Sequence, residues 1–200
     1  MSADDELGIV YVPLSAPTSA YYGGHRPGDN LFSNSLVALD AETGERIWHF
    51  QMIHHDLWEY DNGSPPILGD ITVDGRTIKA VMQANKNGFV YVFDRTNGEP
   101  VWPIVETPVP QSIVEGEATS ATQPIPSKPP AFDRQGITLD DLIDFTPALR
   151  SQALELIDNF TIGPLYTPPS PWIEAGNQGT LTLPSTSGFV PKSEWHFSKY

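Results

Sequence analysis

The chain of 200 residues contains no cysteine, which excludes disulfides, thiolate metal sites and a cysteine nucleophile. Positive charge is scarce: 11 Lys and Arg stand against 25 Asp and Glu, a formal net charge of −14. Such a surface attracts neither phosphate backbones nor anionic lipid, so nucleic acid is not expected as a partner. No window approaches the roughly 18 apolar residues of a membrane helix. Residues 1–6 are acidic where a secretory signal has a basic start and an apolar run. Neither a signal peptide nor a transmembrane segment is expected in this chain.

Turn formers are abundant instead: 20 prolines and 16 glycines. They punctuate short β-branched and aromatic runs, which read as strands at residues 8–14, 35–41, 46–51, 70–73, 77–83 and 88–95. Asp74-Gly75 is a hairpin signal. A further strand is expected at 179–184, beyond which the pattern dissolves. Residues 103–137 are proline-rich and without periodicity, and read as a covering loop or a disordered excursion. Two helical patterns follow, 139–145 and 147–160, with Thr138 and Thr146 as caps and Pro147 at a first helical position. The fold expected is all-β with a small helical insertion. Its divisions are 1–102 (blades), 103–137 (covering loop), 138–163 (helical insertion) and 164–200 (partial blade with an atypical tail).

One stretch stands apart. Residues 54–62, His-His-Asp-Leu-Trp-Glu-Tyr-Asp-Asn, hold two imidazoles, three carboxylates and two large aromatics. That is too polar for a core strand and too aromatic for a solvated loop. Further on, Lys86 stands in the run Gln83-Ala84-Asn85-Lys86-Asn87-Gly88. A carboxylate and an ammonium brought together by a scaffold suit proton abstraction and anion stabilisation. Taken alone, the Glu59–Lys86 pair reads first as a structural ion pair, Trp58 as packing, and Asp56 and Asp61 as turn-satisfying carboxylates. A zinc site on His54 and His55 is not supported, because no further His or Glu completes a ligand set.

The chain also repeats itself. Residues 38–48 align without gaps to residues 92–102, each copy running apolar-apolar-Asp, turn, Gly-Glu, then Trp. A period of about fifty residues suits propeller blades, with Trp48 and Trp102 stacking between neighbours.

The motif His55-Asp56-Leu57-Trp58-Glu59, the run from Lys86 to Arg95 and the two Asp…Gly…Trp repeats resemble the pyrroloquinoline-quinone (PQQ) dependent dehydrogenases, in their membrane-glucose-dehydrogenase-like branch. The resemblance covers residues 8–188. It implies a partial eight-bladed β-propeller with PQQ and Ca2+ in the central funnel, and oxidation of a sugar or alcohol with electrons passed to a respiratory quinone or another acceptor in the periplasm. It also implies Glu59 as catalytic base, Lys86 on the reactive quinone oxygen, and His55 and Trp58 as further cofactor contacts. Two departures are visible. The family has aspartate where this chain has Glu59, and the loop expected to supply a calcium-binding asparagine reads Pro17-Thr18-Ser19-Ala20. Glu59 and Thr18 are then the candidate calcium ligands. Two hundred residues cannot complete such a ring, so the chain is expected to be a truncated piece that associates with the remaining blades or with itself. The other reading is a non-catalytic propeller segment used for binding or assembly.

Overall fold

A computed structural model describes residues 1–173 and 176–184. Two antiparallel sheets lie side by side. The first has four strands in sequence order, β1 (Ser2–Asp4), β2 (Ile9–Pro13), β3 (Ser35–Asp40) and β4 (Arg46–Gln51). The second runs β5 (Ile67–Val73), β6 (Arg76–Ala84) and β7 (Val90–Asp94), and Pro100 adds a bridge to Phe93. Each sheet is a meander of sequential antiparallel strands, with one long connection, residues 14–34, between β2 and β3.

The sequence repeat is the same turn built twice. Asp40 Oδ1 accepts the N–H groups of Glu42 and Thr43 at 3.0 and 2.7 Å, and Asp94 Oδ1 accepts the Thr96 N–H at 2.9 Å. Gly44 and Gly98 then take φ of 73° and 78°, where a side chain is disfavoured. The turn returns β4 so that Trp48 leaves its own sheet and lies on the second. Its indole N–H donates to the Arg95 carbonyl at 3.2 Å, and its ring meets Phe93 at 5.9 Å between centroids. A Cβ on Gly98 would fall 2.6 Å from Trp48 Cδ2. Gly98→Ala should therefore cost about 2 kcal/mol, from the positive φ and the displaced indole together. Gly44→Ala, with open space around it, carries only the φ penalty. Thermal unfolding of the two variants separates the terms.

Four expectations need correction. Residues 103–137 are not without structure: β8 (Ile104–Pro108) pairs with β9 (Thr122–Pro126). Pro124 and Pro126 share one parity, so their missing N–H groups fall on the unpaired side and the ladder runs through the alternate residues. Residues 139–145 form only a 3-10 turn, Leu139–Asp141, closed by the expected Thr138–Asp141 capping box. The second helix, α1 (Pro147–Ile157), has its Thr146 cap but is shorter than read. No strand forms at 179–184, where Thr180 makes one parallel bridge to Thr161. β1, which no sequence pattern announces, joins the first sheet through residues 2–4. The reading of the tail beyond Gly188 lies outside the described residues. Among those described, no helix is long and apolar enough to cross a membrane.

Candidate active site

The stretch 54–62 leaves β4 and crosses the end of both sheets as an irregular turn, with His55 and Glu59 at φ of 46° and 59°. Positive φ at two non-glycine residues is costly and persists only where the surroundings over-determine it. Asp56 supplies the first restraint. Its buried carboxylate accepts N–H groups from Trp58 (2.7 Å) and Tyr60 (2.9 Å) and the Asn34 amide (2.9 Å). Burial pushes the Asp56 carboxyl up to about 6, against these three donors, which favour the ionised form.

A layer of buried asparagines supplies the second restraint. Asn34 Nδ2 and Asn85 Nδ2 both donate to the Tyr60 carbonyl, at 2.9 and 2.6 Å, and Asn85 also donates to Asn62 Oδ1 at 2.9 Å. Asn87 Nδ2 donates to the hydroxyls of Tyr91 and Tyr166, which ties the segment after α1 to the second sheet. Amides suit this role because each carries donors and an acceptor without the cost of burying a charge.

The turn and the lysine do meet, but through Asp61. Lys86 Nζ lies 2.6 Å from Asp61 Oδ2, and the Lys86 N–H donates to the Asp61 carbonyl at 3.1 Å. Asp61 Oδ1 meanwhile accepts the Ala16 N–H at 2.9 Å, drawing in the loop after β2. Glu59 is half-buried and accepts from the Tyr21 hydroxyl at 3.2 Å. Burial, then the charge and hydrogen bond of Glu59, push the Tyr21 phenol well above its ordinary value.

His55 and Trp58 face inward. Trp58, 5% exposed, stacks on Tyr60 and donates its indole N–H to the Thr167 carbonyl at 2.8 Å. His55 Nδ1 lies 2.7 Å from the Gly28 carbonyl and Nε2 lies 2.8 Å from Glu117 Oε1, with the two side chains 2% and 1% exposed. A carbonyl only accepts, so Nδ1 is the donor to Gly28. Thr18 is exposed on the loop after β2.

Sequence reasoning missed Glu117, Arg26, Tyr21 and Asn34. Arg26 donates to the Asp56 carbonyl at 2.6 Å and to Asn30 Oδ1. Asn34 and Asn62 were readable in principle as turn amides beside recognised motifs. Glu117 had no local signal, since its partners are far away in sequence.

Lys86 is about a quarter exposed and commits one donor direction to Asp61, which leaves ammonium protons for an anionic or quinonoid oxygen. That much fits PQQ. Calcium is served only in part: Glu59 offers a carboxylate and Thr18 a hydroxyl, but among the described residues no group of three or more His, Cys, Asp or Glu is placed to hold an ion.

Meandering sheets joined by an aspartate turn and a tryptophan that crosses to the next sheet define the class, a β-propeller. The chain belongs to the glucose/ethanol/alcohol dehydrogenase β-propeller domain family of PQQ proteins, which it matches over residues 1–196. It is similar to the quinoprotein glucose dehydrogenase of Escherichia coli K12, with 35% identity over 96% of this chain and 23% of that protein. It is also similar to quinoprotein glucose dehydrogenase A of Acinetobacter calcoaceticus, with 35% identity over 98% of this chain and 24% of that protein. The glycerol dehydrogenase large subunit of Gluconobacter oxydans shares 36% identity over 87% of this chain and 24% of that subunit. The chain thus spans about a quarter of the length of these curated relatives.

Proposed function

We propose that this chain forms the part of a PQQ-dependent sugar or alcohol dehydrogenase that carries the base and the quinone-facing cation. The observation that supports it best is the half-exposed carboxylate of Glu59 on the turn whose last acid, Asp61, holds Lys86 at 2.6 Å. Glu59 takes the proton from the substrate hydroxyl at its carboxylate, an interaction of the kind that contributes roughly 10²–10⁴-fold. Lys86 would offer its remaining ammonium protons to a quinone oxygen of bound PQQ, and Asp61 keeps the ammonium in place. PQQ, when bound, supplies the two-electron acceptor. His55 and Trp58 act from beneath, fixing the turn rather than touching the cofactor. Calcium would draw on Glu59 and Thr18, together with ligands from elsewhere in the complete ring. Electron delivery to a respiratory quinone, work in the periplasm and association with further blades belong to the same reading.

The relatives named for glucose and for glycerol support a sugar or an alcohol as the substrate class. A non-catalytic scaffold is the second reading, favoured by one observation: among the described residues no group of three or more His, Cys, Asp or Glu is placed to hold the calcium ion. Titrating the chain with PQQ in the presence of calcium, followed by PQQ fluorescence, decides between them. Saturable uptake is expected, weakened at least tenfold by Lys86→Ala through loss of a charge-assisted hydrogen bond. Absence of any fluorescence change at large PQQ excess would sink the catalytic reading.

A further inference from the structure

Three strands of chain converge behind Glu59, and their contacts lead to one residue. Glu117, in the connection between β8 and β9, buries its carboxylate among the Gly23 N–H (2.5 Å, on Oε2), the Ala118 N–H (2.9 Å, on Oε1) and His55 Nε2. Gly23 is required there, since a Cβ on it would fall 2.3 Å from His55 Nε2. The neighbouring Tyr22 hydroxyl reaches the Glu115 carbonyl at 3.3 Å, and His55 Nδ1 holds the Gly28 carbonyl. Residues 21–28 are thus pinned at both ends onto the β8–β9 connection and the His55 turn. Tyr21 is carried on the pinned segment, and its hydroxyl donates to Glu59 Oε2 at 3.2 Å.

We propose that Tyr21 is the positioning residue for the Glu59 carboxylate, and that Glu117 holds Tyr21 in register by locking Gly23 and His55. A glutamate side chain has one more rotatable bond than the aspartate of the resembling enzymes, and so one more way to be misplaced. A phenol on a pinned loop removes that freedom by directing one carboxylate oxygen and leaving the other for a substrate. An aspartate at position 59 falls one methylene short of the phenol, so Glu59 and Tyr21 form a matched pair. The significance for catalysis rests on the function proposed above; the contact itself does not.

The test uses the full chain labelled with 13Cζ-tyrosine at neutral pH, with the Tyr21 resonance among the seven tyrosines assigned by its loss in Tyr21→Phe. Glu59→Ala is expected to move the Tyr21 resonance by withdrawing both acceptor and charge, and Glu59→Asp to move it in the same direction by less, because the acceptor retreats while the charge stays nearby. Glu117→Gln keeps the shape of the lock but lacks its charge, and is expected to broaden or shift Tyr21 while the backbone amide spectrum away from residues 21–28 stays unchanged. A merely structural Glu117 would change stability and leave the Tyr21 signal where it was. A Tyr21 resonance unmoved by Glu59→Asp and Glu59→Ala in folded protein overturns the proposal, whatever the PQQ titration gives. A failed PQQ titration overturns the functional reading and leaves the Tyr21–Glu59 contact to be judged by this spectrum alone.

Discussion

Asp56→Ala is expected to destabilise the chain by roughly 4 kcal/mol in urea denaturation followed by tryptophan emission. Three buried N–H donors, from Trp58, Tyr60 and Asn34, would lose their common acceptor. Each unsatisfied donor costs about 1–3 kcal/mol, and removal of the buried charge returns only part of the sum. Asp56→Asn should cost roughly half as much, because one oxygen remains to accept while the new amide faces donors. The pH dependence has a definite sign. The folded-state value of about 6 lies above the ordinary 3.8, so the native state holds a proton that the unfolded chain has released between those values. The Asp56 contribution therefore stabilises as pH falls from about 6 towards 3.8, and is lost as pH rises through 6. Both variants should lack that rise. An Asp56→Ala chain within about 1 kcal/mol of the parent would mean that the turn does not depend on this carboxylate.

Arg95→Ala carries the second large effect, about 3 kcal/mol, by separating the two sheets. Arg95 Nε meets Asp4 Oδ2 at 2.5 Å and Nη1 meets Asp70 Oδ1 at 2.9 Å, so one side chain of the second sheet holds the first strand of the first sheet. Without it the Asp4 carboxylate stays buried with only the Glu6 and Leu7 N–H groups, and breaking a buried pair from one side is the costly way to break it. Replacing both partners, Arg95→Met with Asp4→Leu, should recover most of the loss, since an apolar contact of similar volume often matches a buried ion pair. Burial raises the Asp4 carboxyl, but the Arg95 hydrogen bond and charge and the two N–H donors more than offset it, leaving the value below 3.8. The stability from this pair is accordingly present above 3.8 and is lost as pH falls through the depressed folded value. Acid unfolding should therefore shift to higher pH in Asp4→Asn. An acid limb identical to that of the parent chain would show that Asp4 is not its origin.

The two variants probe different layers of one design. Asp56 shapes the turn that presents Glu59 and Asp61, whereas Arg95 sets the sheets on whose ends that turn rests. The Tyr11 hydroxyl and the Trp48 indole both donate to the Arg95 carbonyl, at 2.8 and 3.2 Å, so the same residue joins the sheets through its main chain as well. Loss of Asp56 is expected to abolish PQQ uptake in the fraction that remains folded. Loss of the Arg95 side chain should lower stability first and uptake only as a consequence.

Much of this was legible in the chain itself, and for a common reason. Strands β2 to β7, the aspartate turns at Asp40 and Asp94, the Thr146 cap and the repeat that pointed to propeller blades all rest on interactions between residues close in sequence, where side-chain period and turn chemistry carry the information. The motif at 54–62 was legible because its composition suits neither core nor solvent. What the tertiary structure alone decided is which acid holds the lysine and what stands behind the base. Asp61 rather than Glu59 takes Lys86, since the positive φ at Glu59 sends its side chain towards Tyr21. Glu117 closes on His55 from a segment that reads as featureless proline-rich sequence, in which Pro124 and Pro126 share the parity that a two-stranded ladder tolerates. Local sequence fixes local geometry; the partner of a buried charge is chosen by whichever distant segment the fold brings within about 3 Å.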